Sequence, residues 1–128
     1  MAKRILVVDD EELIASTLKK LLVRQGYDAV FVEDGESALE KIKTDDFDLI
    51  ISDIRMPGMD GVETVSSIRD YLKGSGRDLI PEVFITGYAD FEKYEEAKGL
   101  KVAGYLNKPF DRDDFLRMID EILTDKGD

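Results

Sequence analysis

The chain of 128 residues contains no cysteine and no histidine. The first absence excludes disulfides and thiolate metal sites, and it is compatible with a cytoplasmic location without requiring one. The second excludes imidazole ligands, a histidine general base and a phosphohistidine. Chemistry is left to carboxylates, lysine and hydroxyls. No apolar run is long enough to span a bilayer, and Met1-Ala2-Lys3-Arg4 runs straight into an apolar stretch instead of a signal-peptide pattern. Positive charge is outweighed: 18 Lys plus Arg face 29 Asp plus Glu, a formal net charge of -11. That balance argues against direct binding to nucleic acid or anionic membrane, since both need a positive surface.

What is present is ordinary for a globular domain: 43% hydrophobic and 37% charged residues. The length suits one domain over 1–128, with no internal repeat, low-complexity tract or second domain. Apolar runs alternate regularly with amphipathic stretches. Strands are expected over 4–8, 28–32, 48–52, 82–86 and 102–106. A helix is expected over 11–25, with Leu13, Leu18, Leu21 and Leu22 inward and Gly26 ending it. Asp34 reads as the N-cap of a helix over 35–43 that turns Ala38, Leu39 and Ile42 inward. Asp60-Gly61-Val62-Glu63 reads as a capping box for a helix to about residue 72, followed by a loop at Gly74-Ser75-Gly76. A short helix is expected over about 91–98. Asp111 caps the last helix, with Phe115, Met118, Ile119 and Ile122 on one face. Such alternation implies an α/β sandwich with a parallel sheet buried on both faces.

The strand ends carry the chemistry. Asp9 and Asp10 close Ile5-Leu6-Val7-Val8, Asp53 closes Leu49-Ile50-Ile51-Ser52, and Lys108-Pro109 closes a third run. In parallel sheets the carboxyl ends of the strands line one edge, where ligands bind. Three carboxylates converging there need a cation, and an all-oxygen set suits magnesium or another hard divalent ion such as manganese.

Four segments together resemble the receiver domain of bacterial two-component response regulators, over essentially the whole chain. They are Val7-Val8-Asp9-Asp10-Glu11-Glu12, the run from Ser52 through Asp53, Arg55 and Pro57 to Gly61, Ile85-Thr86-Gly87, and the run from Gly104 through Tyr105 and Lys108 to Phe110. The resemblance implies a flavodoxin-like doubly wound five-stranded parallel sheet of order 2-1-3-4-5 with five helices. It implies that Asp53 accepts a phosphoryl group from a histidine kinase or a histidine phosphotransfer protein. Magnesium would then be held directly by Asp10, through water by Asp9, and by Asp53 and the backbone carbonyl of Arg55. Lys108 would reach a phosphoryl oxygen ahead of a cis Lys108–Pro109 bond, and the Thr86 hydroxyl would bond the phosphoryl group. Tyr105 is similar to the aromatic switch residue of such domains. Arg55 and Tyr88 occupy the two positions that flank the approach of water in this family. With a basic and an aromatic side chain there, slow self-catalysed loss of phosphate is expected.

The resemblance implies a signalling phosphoacceptor and not a turnover enzyme, acting on a downstream protein target as a monomer or weak dimer. The acidic charge favours a stand-alone receiver or phosphorelay intermediate. The alternative is the N-terminal receiver of a longer transcription factor or effector enzyme. A metal-dependent phosphohydrolase would also cluster aspartates, but it usually needs a second aspartate two residues past the nucleophile, where this chain has Arg55.

Overall fold

The structure is a computed structural model that describes residues 2–87, 95 and 97–127. Elements follow in the order β1 (Arg4–Val8), α1 (Glu12–Arg24), β2 (Asp28–Val32), α2 (Gly35–Thr44), β3 (Leu49–Asp53), α3 (Gly61–Gly74), β4 (Glu82–Thr86), β5 (Gly104–Asn107) and a last helix, α4 (Arg112–Gly127). The strands form a five-stranded sheet of order β2-β1-β3-β4-β5, parallel throughout. This is the flavodoxin-like order the sequence resemblance implies. Four helices stand among the described residues. The fifth, expected over about 91–98, lies mostly outside them.

Burial follows sheet position. Every residue of β3 and β4 is buried, because both strands are flanked by neighbours and covered on both faces. The edge strand β2 is only half-buried. One face of the sheet packs Ile5, Val7, Leu49, Ile51, Val83 and Ile85 against α1 and α4. The other packs Leu6, Val8 and Ile50 against Ala38 and Ile42 of α2 and Ile68 and Leu72 of α3. Alternate residues of one strand therefore serve opposite cores.

The capping residues do what their chemistry suggests. Asp34 accepts from the Ser37 amide at 2.7 Å. Asp60 and Glu63 close a reciprocal capping box, at 2.9 and 3.2 Å. The inward stripe of α1 needs correction. Ala15, Leu18 and Leu22 are buried, whereas Leu13 is 80% exposed. Five residues at about 100° each place Leu13 some 140° from Leu18 around the helix, so the two cannot share a face. β5 begins two residues later than expected, because Lys101 adopts φ 54° and the chain is still turning before Gly104.

Candidate metal and phosphoryl site

The parallel register brings the carboxyl ends of β1, β3 and β4 level: Val8 pairs with Ser52, and Asp53 with Ile85. Asp9 and Asp10 are the first and second residues past β1, and Thr86 is the last residue of β4. Asp9, Asp10 and Asp53 each present a carboxylate oxygen within 4.8 Å of the others. Asp9 is fully buried, Asp53 is 4% exposed, and Asp10 faces solvent. Two buried carboxylates under an exposed third make a cup open on one side.

Asp9 is built into the turn. Its Oδ1 accepts the Glu11 amide at 2.8 Å, while its buried Oδ2 has no hydrogen-bond partner. An unsatisfied buried carboxylate oxygen is costly. Burial, reinforced by the charge of Asp53, pushes the Asp9 carboxyl up to about 6. Burial also raises the Asp53 carboxyl above its usual range, outweighing the opposing pull of Lys108. The orphaned oxygen and the all-oxygen donor set both fit a hard divalent cation.

Lys108 comes from the far end of the chain. Its Nζ lies 3.4 Å from Asp53 Oδ2 and 3.4 Å from Glu11 Oε1. The peptide bond to Pro109 is cis, as the resemblance implies. Desolvation pulls the Lys108 pKa down, but Asp53, Asp9 and Glu11 outweigh it and hold the ammonium above its ordinary value. It is a charged lysine held beside the Asp53 carboxylate.

The Asp53 main chain is fixed from two sides. The Ser52 hydroxyl donates to the Asp53 carbonyl at 2.9 Å, and the Gly61 amide donates to the Ile54 carbonyl at 2.7 Å. A Cβ at Gly61 would come 2.3 Å from the Asp53 carbonyl oxygen and 2.8 Å from Ile54 Cα. Only glycine lets the N-terminus of α3 rest against the Asp53 peptide.

The remaining expected residues are distributed around this centre. Thr86 is 3% exposed, with its hydroxyl 3.4 Å from the Gly87 carbonyl. Tyr105 is half-buried, its ring centroid 6.2 Å from that of Phe84. Arg55 has an exposed side chain, and its backbone amide bonds the Asp53 carboxyl. Tyr88 lies outside the described residues. Two contributors had no role in the sequence reading. Glu11 shares Lys108 with Asp53, and Gly61 supports Asp53 from below. Both lie within the motif segments 7–12 and 52–61, but their roles depend on groups brought close only by folding.

Residues 5–120 match the response regulator receiver domain family, and the chain belongs to it. It is 34% identical over 124 residues to chemotaxis protein CheY of Halobacterium salinarum, covering 97% of this chain and 99% of that protein. It is 38% identical over 112 residues to the alkaline phosphatase synthesis transcriptional regulatory protein PhoP of Bacillus subtilis. There the match covers 86% of this chain but only 44% of PhoP, so the chain spans less than half of that relative. Among solved structures, chemotaxis protein CheY4 of Vibrio cholerae shares 32% identity at a TM-score of 0.84, over 96% of this chain and 100% of that one.

Proposed function

We propose that this receiver domain is a phosphoacceptor in which a phosphoryl group passes from a histidine kinase or histidine phosphotransfer protein to Asp53. The observation that carries the reading is the ammonium of Lys108 held 3.4 Å from the carboxylate of Asp53, beside an acidic cup with one orphaned oxygen. An Asp53 oxygen attacks phosphorus, the P–N bond of the phosphohistidine breaks, and its electron pair returns to the imidazole nitrogen, leaving an acyl phosphate. Such transfer depends mainly on positioning and charge neutralisation. Asp10, Asp53 and the Arg55 carbonyl, with Asp9 through water, are the groups that would hold magnesium or manganese. That ion supplies positive charge against the incoming phosphoryl oxygens.

Lys108 then exchanges its contact with Asp53 for a phosphoryl oxygen, as a mobile point charge can. The Thr86 hydroxyl turns to the phosphoryl group, and the Tyr105 ring shifts into the space behind it. The result is a population shift biased by a local charge event. In this reading the domain is a cytoplasmic signalling phosphoacceptor whose catalysis is confined to its own phosphorylation and slow dephosphorylation. Its output is a contact with a downstream protein as a monomer or weak dimer. No described helix is long and apolar enough to cross a membrane.

A stand-alone receiver or phosphorelay intermediate is supported by the end-to-end match to a chemotaxis protein. The partial match to a transcriptional regulator supports the second reading, a receiver cut from a longer regulator. The length of the reading frame in the source genome separates them. The phosphoacceptor reading is tested with acetyl phosphate as donor. Labelling is expected with magnesium and not after EDTA treatment, and equal labelling in both would contradict it.

A further inference from the structure

Glu82 is 3% exposed at the first position of β4, where a carboxylate is tolerated only when paired. Its partner is Arg69 of α3. Nε donates to Oε2 at 2.9 Å and Nη2 to Oε1 at 2.8 Å, a two-pronged contact. The remaining arm, Nη1, donates to the Leu100 carbonyl at 2.6 Å. The main-chain carbonyl of Glu82 accepts from the Ala103 amide at 2.8 Å. Residue 100 is thus tied to the guanidinium of Arg69, and residue 103 to the main chain of the residue that carries the paired carboxylate.

Between those ties Lys101 adopts φ 54°, a left-handed conformation disfavoured for a residue with a Cβ. Such a conformation persists where the surroundings over-determine it, and the two ties do so. The held turn leads directly into β5. Tyr105 pairs in register with Phe84 and packs with it in a cluster that includes Ile54, Val65, Leu100 and Val102. Alternation along β4 places Glu82, Phe84 and Thr86 on one face. Hydrogen bonds to Glu82 hold the Arg69 guanidinium above its ordinary pKa, with a smaller contribution from Tyr105. Helix α3 therefore touches both ends of the proposed switch. Its first residue rests on the Asp53 peptide, and Arg69 near its far end holds the approach to Tyr105.

We propose that Arg69 and Glu82 form a clamp that sets the resting position of Tyr105, which makes Arg69 a positioning residue for the output face. The inference rests on the reading of Tyr105 as the switch. Releasing the clamp lets the 100–103 turn relax and frees the Tyr105 ring before any phosphoryl group arrives. Phosphoryl transfer itself, at the opposite end of the strands, does not pass through the clamp.

Two variants test this. Arg69→Met with Glu82→Leu replaces the buried pair by apolar side chains, a change that commonly preserves stability. Arg69→Lys keeps the charge but loses the fork, and it carries the test if the double variant does not fold. Three quantities are compared with wild type by NMR and labelling: the rate of acetyl phosphate labelling, the Tyr105 ring signals, and hydrogen exchange of the amides of residues 100–103. Labelling is expected to stay within about twofold of wild type. Amide exchange over 100–103 is expected to accelerate at least about tenfold. The Tyr105 signals of the unphosphorylated variant are expected to move toward those of phosphorylated wild type. Wild-type protein that takes no phosphoryl group would overturn the phosphoacceptor reading. Labelled variants that keep wild-type Tyr105 signals and amide protection would overturn the clamp alone.

Discussion

The ammonium of Lys108 and the carboxylate of Asp53 stand 3.4 Å apart across 55 residues of sequence. The contact joins the turn after β5 to the end of β3. Without a phosphoryl group, Asp53 offers Lys108 only part of its demand for negative charge, and Glu11 takes a share at the same distance. That sharing leaves Lys108 poised to move.

Removing the lysine should therefore slow transfer without emptying the metal site. For Lys108→Ala, labelling by acetyl phosphate is expected to fall on the order of tenfold, about 1.4 kcal/mol of barrier. Magnesium affinity, measured by titration, should remain close to wild type or rise, because a competing cation has gone. Labelling at the wild-type rate would contradict the role given to Lys108.

The acidic cup also has a pH signature. In the folded, metal-free protein the Asp9 carboxyl titrates at about 6, against 3.8 for an ordinary aspartate. Between those values the native state holds a proton that the unfolded chain has released, so stability falls as pH rises through the window. The loss is on the order of 2–3 kcal/mol for a shift of this size. Asp53, also raised, adds in the same sense. Asp34 and Asp45 are shifted down, so their contributions are lost only as pH falls below the ordinary aspartate value. Urea unfolding in EDTA should give a more stable protein near pH 5 than near pH 7, and magnesium should recover the difference. A metal-free protein that is more stable near pH 7 would refute the argument.

The lifetime of the acyl phosphate depends on water placed in line with phosphorus. Arg55 has no carboxylate or amide with which to orient that water, and its side chain lies at the surface beside Asp53. Loss of phosphate from the purified phosphoprotein should accordingly be slow. Arg55→Asn combined with Tyr88→Glu should accelerate it on the order of tenfold. An unchanged decay in that double variant would show that these side chains point away from the phosphoryl group.

Much of this architecture is legible before folding, and the reasons are local. Buried parallel strands read as unbroken apolar runs, so Ile5–Val8 and Leu49–Ser52 declare themselves, and with them the aspartates at their ends. Asp34, and Asp60 with Glu63, act on amides three residues away, which keeps caps visible in sequence. The rest is tertiary. Leu13 looks like a core residue by type, but its angle around α1 turns it to solvent. Glu82 looks like any surface glutamate of an acidic chain until Arg69 closes on it from another element. Gly61 looks like a turn glycine, yet its lack of a side chain matters because the Asp53 carbonyl lies where one would be.

Asp53 alone is proposed to receive the phosphoryl group, and mapping the adduct decides it. Wild type and Asp53→Asn are incubated side by side with acetyl phosphate and magnesium, and any hydroxylamine-sensitive adduct is located by peptide mass. One hydroxylamine-sensitive acyl phosphate is expected on the Asp53 peptide of wild type and none on Asp53→Asn. An adduct on Asp9 or Asp10 in wild type, or labelling of Asp53→Asn to the wild-type extent, would contradict it.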